Sequence, residues 1–104
     1  MAKVRVGVIG LGNMGRPIAE NLLRAGFPTT VFDLRPKAMD ALRKAGAQAA
    51  ASPAEAARQS EVLFLVVPDS RAVRQALFGR NGAARGAPQG SLIVDMTTGD
   101  PQYS

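Results

Sequence analysis

A strand pattern that ends in a glycine-rich turn and passes at once into a helical pattern constrains this chain most. The β-branched run 4–9 leads into Gly10, Gly12 and Gly15, which have the spacing G-x-G-x-x-G. Gly10 permits a tight turn, Gly12 leaves the backbone open to a ligand, and Gly15 lets the helix pack against the strand. The N–H groups at the start of that helix suit the pyrophosphate of a dinucleotide. The glycines alone are a weak signal, but the flanking strand and helix support this interpretation.

An acidic residue follows the glycines by about 20 positions, as dinucleotide-binding folds require. Asp33 ends the next β-branched run, 29–32. Its carboxylate can accept hydrogen bonds from the adenosine ribose and would repel a 2′-phosphate, which favours NAD over NADP. Arg35 keeps NADP open, because a guanidinium binds phosphate well. An ordinary solvated aspartate at a strand end is the alternative interpretation.

The rest of the chain alternates strand and helix patterns with short connections. Strands are predicted at 4–9, 29–32, within 47–50, at 62–67 and at 92–94, with helices at 14–25, 36–46, 53–60 and 69–78. This alternation predicts an α/β Rossmann-type fold, a parallel sheet of about five strands in the order 3-2-1-4-5 with helices on both faces. Ligands bind such sheets beyond the carboxyl ends of the strands, where the order reverses.

Three details of this pattern concern burial and loops. Helical periodicity puts Met14 on the sheet-facing side of the first helix and Phe78 on that of the fourth. The run 62–67 is the most apolar in the chain and predicts a strand buried on both faces. Glycine and proline at 79–82 and 86–90 predict a turn and a loop before the last strand.

Composition bounds the class of protein. The 104 residues form one expected domain, 1–104, with no apolar run as long as a membrane span. Met1 leads directly into the first strand without a secretory signal, so we expect a cytoplasmic protein. The chain has no cysteine and no histidine, which removes disulfides and the commonest general base and metal ligand, and we predict no metal site.

The positive charge of the chain does not indicate a nucleic-acid interface. Thirteen Lys and Arg against 8 Asp and Glu give a formal charge of +5, but the arginines are spread along the chain and aromatic residues make up only 5%. A solvated basic surface is the better interpretation, and it favours an anionic cofactor or substrate.

Two hydroxyl groups follow the last predicted strand. Thr97 and Thr98 can donate hydrogen bonds to a carboxylate or carboxamide beyond that strand end. A helix beginning near Pro101 can use the same hydroxyls as a cap without any ligand. The spacing leaves both interpretations open.

Four stretches together resemble the β-hydroxyacid dehydrogenase family, typified by 3-hydroxyisobutyrate dehydrogenase and tartronate semialdehyde reductase. The forms Gly10-Leu11-Gly12-x-Met14-Gly15 and D-x-[ST]-T-x-x-P are typical of the family, and the resemblance covers essentially the whole chain. The stretches are Gly7–Gly15 with Ala19–Leu22, Val31–Asp33, Leu63–Pro68 and Val94–Pro101.

The resemblance implies a cofactor role for each matching residue. Backbone 11–14 would hold the pyrophosphate, Asp33 would hold the adenosine ribose, and Val67 and Pro68 would line the cofactor pocket. The implied cofactor-binding residues are Gly10, Leu11, Gly12, Asn13, Met14, Gly15, Asp33, Leu34, Arg35, Val67, Pro68 and Thr98.

The resemblance also assigns the two threonines and the cofactor. Thr98 would contact the nicotinamide end, and Thr97 stands where the family usually has a serine that contacts the substrate carboxylate. Members that prefer NADP tend to have Asn-Arg where this chain has Asp33-Leu34, which again favours NAD.

The activity implied is that of an oxidoreductase, homo-oligomeric at full length, that interconverts a short 3-hydroxy acid and its semialdehyde. The family's catalytic lysine and C-terminal helical domain follow the fifth strand, so we expect no catalytic residue in this chain and no activity from it alone. Lys3, Lys37 and Lys44 match no family motif. Alternatives are a non-catalytic nucleotide-binding module, or a member like 6-phosphogluconate dehydrogenase or imine reductase. A domain without its helical partner would expose an apolar sheet edge and tend to associate.

Overall fold

A computed structural model of the chain describes residues 3–96, so Thr97 and Thr98 lie outside the described residues. Strands and helices alternate as predicted. The elements are β1 (Val6–Ile9), α1 (Gly15–Arg24), β2 (Thr29–Phe32), α2 (Pro36–Lys44), β3 (Gln48–Ala49), α3 (Pro53–Arg58), β4 (Val62–Leu65), α4 (Ser70–Phe78), α5 (Ala83–Gly86) and β5 (Leu92–Asp95).

The strands form one parallel sheet in the order β3-β2-β1-β4-β5, which confirms the predicted fold. β1 is central, with Val8 opposite Val31 of β2 and Phe64 of β4. The order reverses between β1 and β4, so the space beyond their carboxyl ends is the expected ligand site.

A separate apolar cluster covers each face of the sheet. On the face that α1 and α2 cover, Val8, Val31 and Leu42 are buried. On the face that α3, α4 and α5 cover, Leu63 and Leu65 pack with small residues of the helices. Alternate strand residues serve the two faces, as expected of a sheet enclosed between helices.

The helix ends follow the predicted local chemistry. Pro36 opens α2. The Ser52 hydroxyl accepts a hydrogen bond from the Glu55 N–H at 3.1 Å at the start of α3, and the Asp69 carboxylate accepts one from the Ala72 N–H at 2.8 Å at the start of α4. No helix within residues 3–96 is long and apolar enough to cross a membrane.

Three burial predictions are wrong. Met14 is 44% exposed because α1 begins beyond the carboxyl end of β1, where the sheet no longer lies beneath it. Phe78 is 72% exposed because it stands about 140° around α4 from the inward-facing Val73. β4 ends at Leu65, and its residues Val62 and Phe64 are only half-buried. The face that carries them is therefore incompletely covered.

One short helix is absent from the sequence prediction. α5 fits tightly against α3, since a Cβ added at Gly86 would lie 1.9 Å from the Ala54 carbonyl oxygen. Its Ala83 is fully buried. A helix of four residues, three of them small, shows too little periodicity to be predicted from sequence, and its packing against α3 stabilises it instead.

Candidate cofactor-binding site

Two of the three glycines are required by the turn itself. Gly10 has φ +99°, and a Cβ there would lie 2.2 Å from the Val66 carbonyl oxygen. A Cβ on Gly15 would lie 1.7 Å from the Gly10 carbonyl oxygen. The chain can therefore leave β1 and enter α1 only if both positions lack a side chain.

Gly12 differs from its two neighbours in the motif. A Cβ built on it would meet no atom within 4 Å among the described residues. Its φ also lies outside the positive range found at Gly10. The fold does not need a glycine here, whereas a ligand that approached this backbone would.

The Asp33 carboxylate joins the glycine turn to the connection between β2 and α2. Oδ2 accepts a hydrogen bond from the Leu11 N–H at 2.8 Å, and Oδ1 accepts one from the Arg35 N–H at 2.8 Å. Only 9% of the Asp33 side chain is exposed. The carboxylate thus fixes the relative positions of two backbone segments that border the carboxyl edge of the sheet.

The Arg35 side chain closes over the same carboxylate. Its Nε lies 3.1 Å from Asp33 Oδ1, and its Nη2 lies 3.5 Å from Oδ2. Burial raises the pKa of Asp33, but the hydrogen bonds from Arg35 and Leu11 and the Arg35 charge outweigh it, and the pKa is held below its usual 3.8. The ion pair in turn raises the pKa of Arg35. Asp33 is therefore an anion throughout the neutral range.

A cavity of about 570 Å³ opens beside this ion pair. It lies between the starts of α1 and α2 and carries three cationic side chains. Its lining residues are Leu11, Gly12, Asn13, Arg16, Pro17, Arg35, Lys37, Ala38 and Ala41.

Two of the lining cations, Arg16 and Lys37, were absent from the predicted site. Each is the second residue of its helix, after Gly15 in α1 and after Pro36 in α2. Both helices begin beyond the carboxyl edge of the sheet, so a charge in either first turn faces the ligand side. The sequence shows that each residue is in the first turn of a predicted helix, which indicates the ligand side of the sheet but not that both residues share one cavity.

Val67, Pro68 and Leu34 are predicted residues that do not line the cavity. Val67 adjoins the turn, its Cγ1 3.1 Å from the Cβ position of Gly10, and packs on the cluster under α4. Pro68 is exposed beyond β4. Leu34 is 88% exposed next to the Asp33–Arg35 pair.

These features fit a dinucleotide. The open backbone at Gly12, the N–H groups at the start of α1 and the cationic cavity suit phosphate, while the carboxylate at the end of β2 suits a ribose. Fold and site together define a Rossmann dinucleotide-binding domain. The chain belongs to the family described as the NAD binding domain of 6-phosphogluconate dehydrogenase, whose model matches residues 5–104.

Curated relatives include hydroxyacid dehydrogenases and a related reductase. The mitochondrial 3-hydroxyisobutyrate dehydrogenase of Mus musculus is 39% identical over 103 residues, which are 99% of this chain and 31% of the mouse protein. The 3-sulfolactaldehyde reductase of Escherichia coli is 42% identical over 96 residues, 92% of this chain and 32% of that protein. The resemblance found in the sequence is confirmed.

Solved structures agree with the fold. An imine reductase variant from Myxococcus stipitatus in complex with NAD+ superposes with a TM-score of 0.86 at 30% identity, over 96% of this chain and 34% of that one. Imine reductase from the same organism in complex with NADP+ gives 0.84 at 30% identity, over 94% and 33%. The chain thus spans about a third of the length of the proteins it matches.

Proposed function

We propose that this chain is the cofactor-binding part of an oxidoreductase that interconverts a short 3-hydroxy acid and its semialdehyde. The nicotinamide supplies the hydride chemistry, and this domain binds and orients it. Support comes from 39–42% identity to a 3-hydroxyisobutyrate dehydrogenase and a 3-sulfolactaldehyde reductase. Both names describe enzymes of small, hydroxylated, anionic carbon compounds.

The observation that carries the proposal is the contrast among the three glycines. Gly10 and Gly15 are fixed by the turn, whereas the fold leaves Gly12 free. We assign backbone 11–14 to the pyrophosphate and Asp33 to the adenosine ribose. This places the adenosine half of the cofactor beside the cavity and directs the nicotinamide half across β1 toward β4.

The nicotinamide end falls to residues beyond β4 and β5. We assign Val67 and Pro68 to the wall of that part of the crevice, Thr98 to the nicotinamide and Thr97 to the substrate carboxylate. Both threonines are outside the described residues, and hydroxyl groups in that position can donate to a carboxamide or a carboxylate.

We assign no catalytic acid or base to the lysines of this chain. The Lys3 ammonium donates to the Ala25 carbonyl at the end of α1 and lies 5.0 Å from the centre of the Phe27 ring. Lys44 is in the last turn of α2, and Lys37 borders the cavity at the adenosine end. None of these positions is near the place we assign to the nicotinamide.

A second candidate is an imine reductase or a 6-phosphogluconate dehydrogenase. It is favoured by the family's name, which refers to 6-phosphogluconate dehydrogenase, and by the superposition on imine reductase. The identity of that structure is 30%, compared with 39–42% for the hydroxyacid enzymes. A non-catalytic nucleotide-binding module is a third candidate, which differs only in lacking turnover.

The test is an assay of the protein that carries this domain. NAD(P)+ reduction is followed with 3-hydroxyisobutyrate, with 6-phosphogluconate and, in the reverse direction, with a cyclic imine. Turnover with the 3-hydroxy acid at a kcat/KM at least tenfold above the others is expected. A preference for 6-phosphogluconate or for the imine would support the second candidate function instead. Cofactor binding without turnover of any substrate would support the third candidate, a non-catalytic nucleotide-binding module.

A further inference from the structure

The positive charge of the chain is concentrated in one segment, because the carboxylates are unevenly distributed. Residues 70–94 contain four arginines and none of the eight acidic residues, so this segment carries +4 of the formal charge of +5. The four are Arg71, Arg74, Arg80 and Arg85, and all are exposed. None of them makes an ion pair within residues 3–96. The segment therefore presents cations that the described part of the chain does not neutralise.

The first two of these arginines share one side of α4 with an exposed aromatic residue. At about 100° per residue, Arg71, Arg74 and Phe78 lie within an arc of about 60° on the helix. The other side of α4 carries Val73 and Ala76, which pack in the apolar cluster on that face of the sheet. Phe78 is 72% exposed. The helix therefore turns two guanidinium groups and one phenyl ring away from the core.

The turn after α4 holds a third arginine close to these side chains. The Gly79 N–H donates to the Gln75 carbonyl oxygen at 2.9 Å, and the Gly82 N–H donates to the Gly79 carbonyl oxygen at 2.9 Å. Arg80 lies between these two hydrogen bonds, two residues after Phe78. The backbone that carries Arg80 is thus fixed next to the last turn of α4.

The composition of this surface favours a protein partner over a nucleic acid or a membrane. Its cations are all arginine, and arginine and aromatic residues are enriched where proteins contact each other, whereas lysine is depleted there. A guanidinium also binds a carboxylate through two parallel hydrogen bonds. Phe78 is the only aromatic residue of segment 70–94, which is too few for the stacking of successive bases. One exposed phenyl ring also provides little apolar area for insertion into lipid.

We propose that an arginine patch, formed by Arg71, Arg74, Phe78 and Arg80, is a docking surface for an acidic segment of another protein. The carboxylates of that segment pair with the guanidinium groups, and an apolar side chain of the segment covers Phe78. The proposal does not depend on cofactor binding, because α4 packs on the opposite face of the sheet from α1 and α2, which border the cavity. Exposed ion pairs are individually weak and are screened by salt, so the complex is transient and charge mainly controls the rate of encounter.

Fluorescence anisotropy with a labelled synthetic peptide of glutamate and leucine, in amphipathic helical order, tests this docking surface. The unmodified protein should bind the peptide, with a dissociation constant that rises about tenfold when salt is raised from about 50 mM to about 500 mM. A peptide with glutamine in place of each glutamate should not bind. A peptide with serine in place of each leucine should bind about tenfold more weakly, because it cannot cover the phenyl ring.

Paired variants locate the binding surface. Arg74→Gln with Arg80→Gln should weaken peptide binding by about tenfold, and Phe78→Ser should weaken it by a similar factor with an unchanged dependence on salt. The matched control is Arg24→Gln with Arg43→Gln, which removes the same charge from exposed arginines in the last turns of α1 and α2. Neither residue lines the cavity, so the control pair should leave the affinity almost unchanged. All of these side chains are exposed, so each variant should fold.

Three results with the peptides would overturn the proposal. One is failure of the unmodified protein to bind the acidic peptide. Another is an equal loss of affinity in the control pair, which would show that only net charge matters. The third is an unchanged affinity in Phe78→Ser, which would remove the apolar contact.

Other occupants of the arginine patch are tested with the same variants. Tighter binding to vesicles of phosphatidylserine and phosphatidylcholine or to a single-stranded RNA, lost in Arg74→Gln with Arg80→Gln, would overturn the assignment to an acidic protein segment. Self-association that is lost in that variant would assign the patch to a second copy of the chain instead. Displacement of the peptide by NADP+ would place it in the cofactor cavity, which would overturn the docking surface and leave the proposed function intact.

Discussion

The two halves of the sheet are built from the same alternation of strands and helices, but they differ in the polarity of the surface that they expose. In the half formed by β1, β2 and β3, the carboxyl edge is fixed by polar contacts, with Asp33 joining the turn at Leu11 to Arg35. In the half formed by β4 and β5, apolar side chains of the strands are exposed or only partly covered. Leu92 on the edge strand is 58% exposed, and Phe64 is only half-buried. The first half carries the proposed binding site, whereas the second leaves apolar side chains exposed, as unpartnered sheet surfaces do.

This difference follows from how the helices cover the sheet. α1 and α2 pack over β1 and β2, whereas on the same face β4 and β5 have only partial cover from the described residues. Parallel sheets are normally enclosed on both faces. On that face the β4–β5 half therefore leaves apolar side chains exposed among the described residues.

The largest expected effect is the loss of the turn that organises the β1–β3 half. Gly15→Ala places a Cβ 1.7 Å from the Gly10 carbonyl oxygen, which backbone movement alone can relieve. We expect the free energy of unfolding to fall by about 3 kcal/mol or more, measured by urea denaturation. Gly46→Ala is the control, since Gly46 follows the end of α2, at a helix boundary like Gly15, but its Cβ position is open. Its cost should reflect only the positive φ of +111°.

A smaller effect is expected from the carboxylate that joins the two segments. Asp33→Asn leaves one backbone N–H facing an amide NH2 group and lowers the free energy of unfolding by about 1–2 kcal/mol at neutral pH. Because the pKa of Asp33 is lower in the folded protein than in the unfolded chain, its ionised form favours folding. That stabilisation is complete above about pH 4 and is lost as the pH falls through the folded pKa.

Urea denaturation of both proteins across the acid range measures this dependence. The difference between wild type and Asp33→Asn should shrink below about pH 4. Asp40→Asn is the matched control, since Asp40 is an exposed carboxylate paired with Arg43 at 4.0 Å. It should change stability by less than about 0.5 kcal/mol. A pH-independent difference at Asp33 would show that its charge does not stabilise the fold.

The smallest effect on stability concerns the β4–β5 half. Leu92→Lys should change the free energy of unfolding by less than about 0.5 kcal/mol, since the Leu92 side chain is mostly exposed. The unmodified chain should associate at high concentration, and the Leu92→Lys variant should sediment as a monomer. Leu34→Ser, at an 88% exposed leucine in the other half, should leave association unchanged. If the unmodified chain is a monomer at high concentration, the exposed apolar surface of the β4–β5 half does not drive association, and the proposed difference between the two halves is wrong.

The sequence predicts the fold well because its signals are local. Helix starts are marked by Pro36 and by the caps Ser52 and Asp69, and the strands by β-branched runs. Once the elements are known, the strand order and the right-handed crossover connections follow from general rules. Burial was harder to predict where an element extends beyond the sheet. Met14 and Phe78 satisfy apolar periodicity, but the first lies past the strand end and the second faces away.

The site was predicted only in part for a similar reason. The glycines and Asp33 have the characteristic spacing of a dinucleotide-binding motif, so they are predicted directly from the sequence. Arg16 and Lys37 belong to different helices, and only the packing of α1 beside α2 brings both to one cavity. The pairing of Arg35 with Asp33 is a side-chain arrangement, which spacing cannot specify.

The central claim, that the open backbone of the glycine turn holds a dinucleotide, is tested most directly at Gly12. Its Cβ position is empty and its φ is not in the positive range, so Gly12→Ala should leave stability unchanged or raise it by up to about 1 kcal/mol. The added methyl group stands where the pyrophosphate would approach. Calorimetric titration with NADP+ and NAD+ should therefore show affinity reduced on the order of hundredfold for both. Unchanged affinity in a folded Gly12→Ala variant would contradict the account.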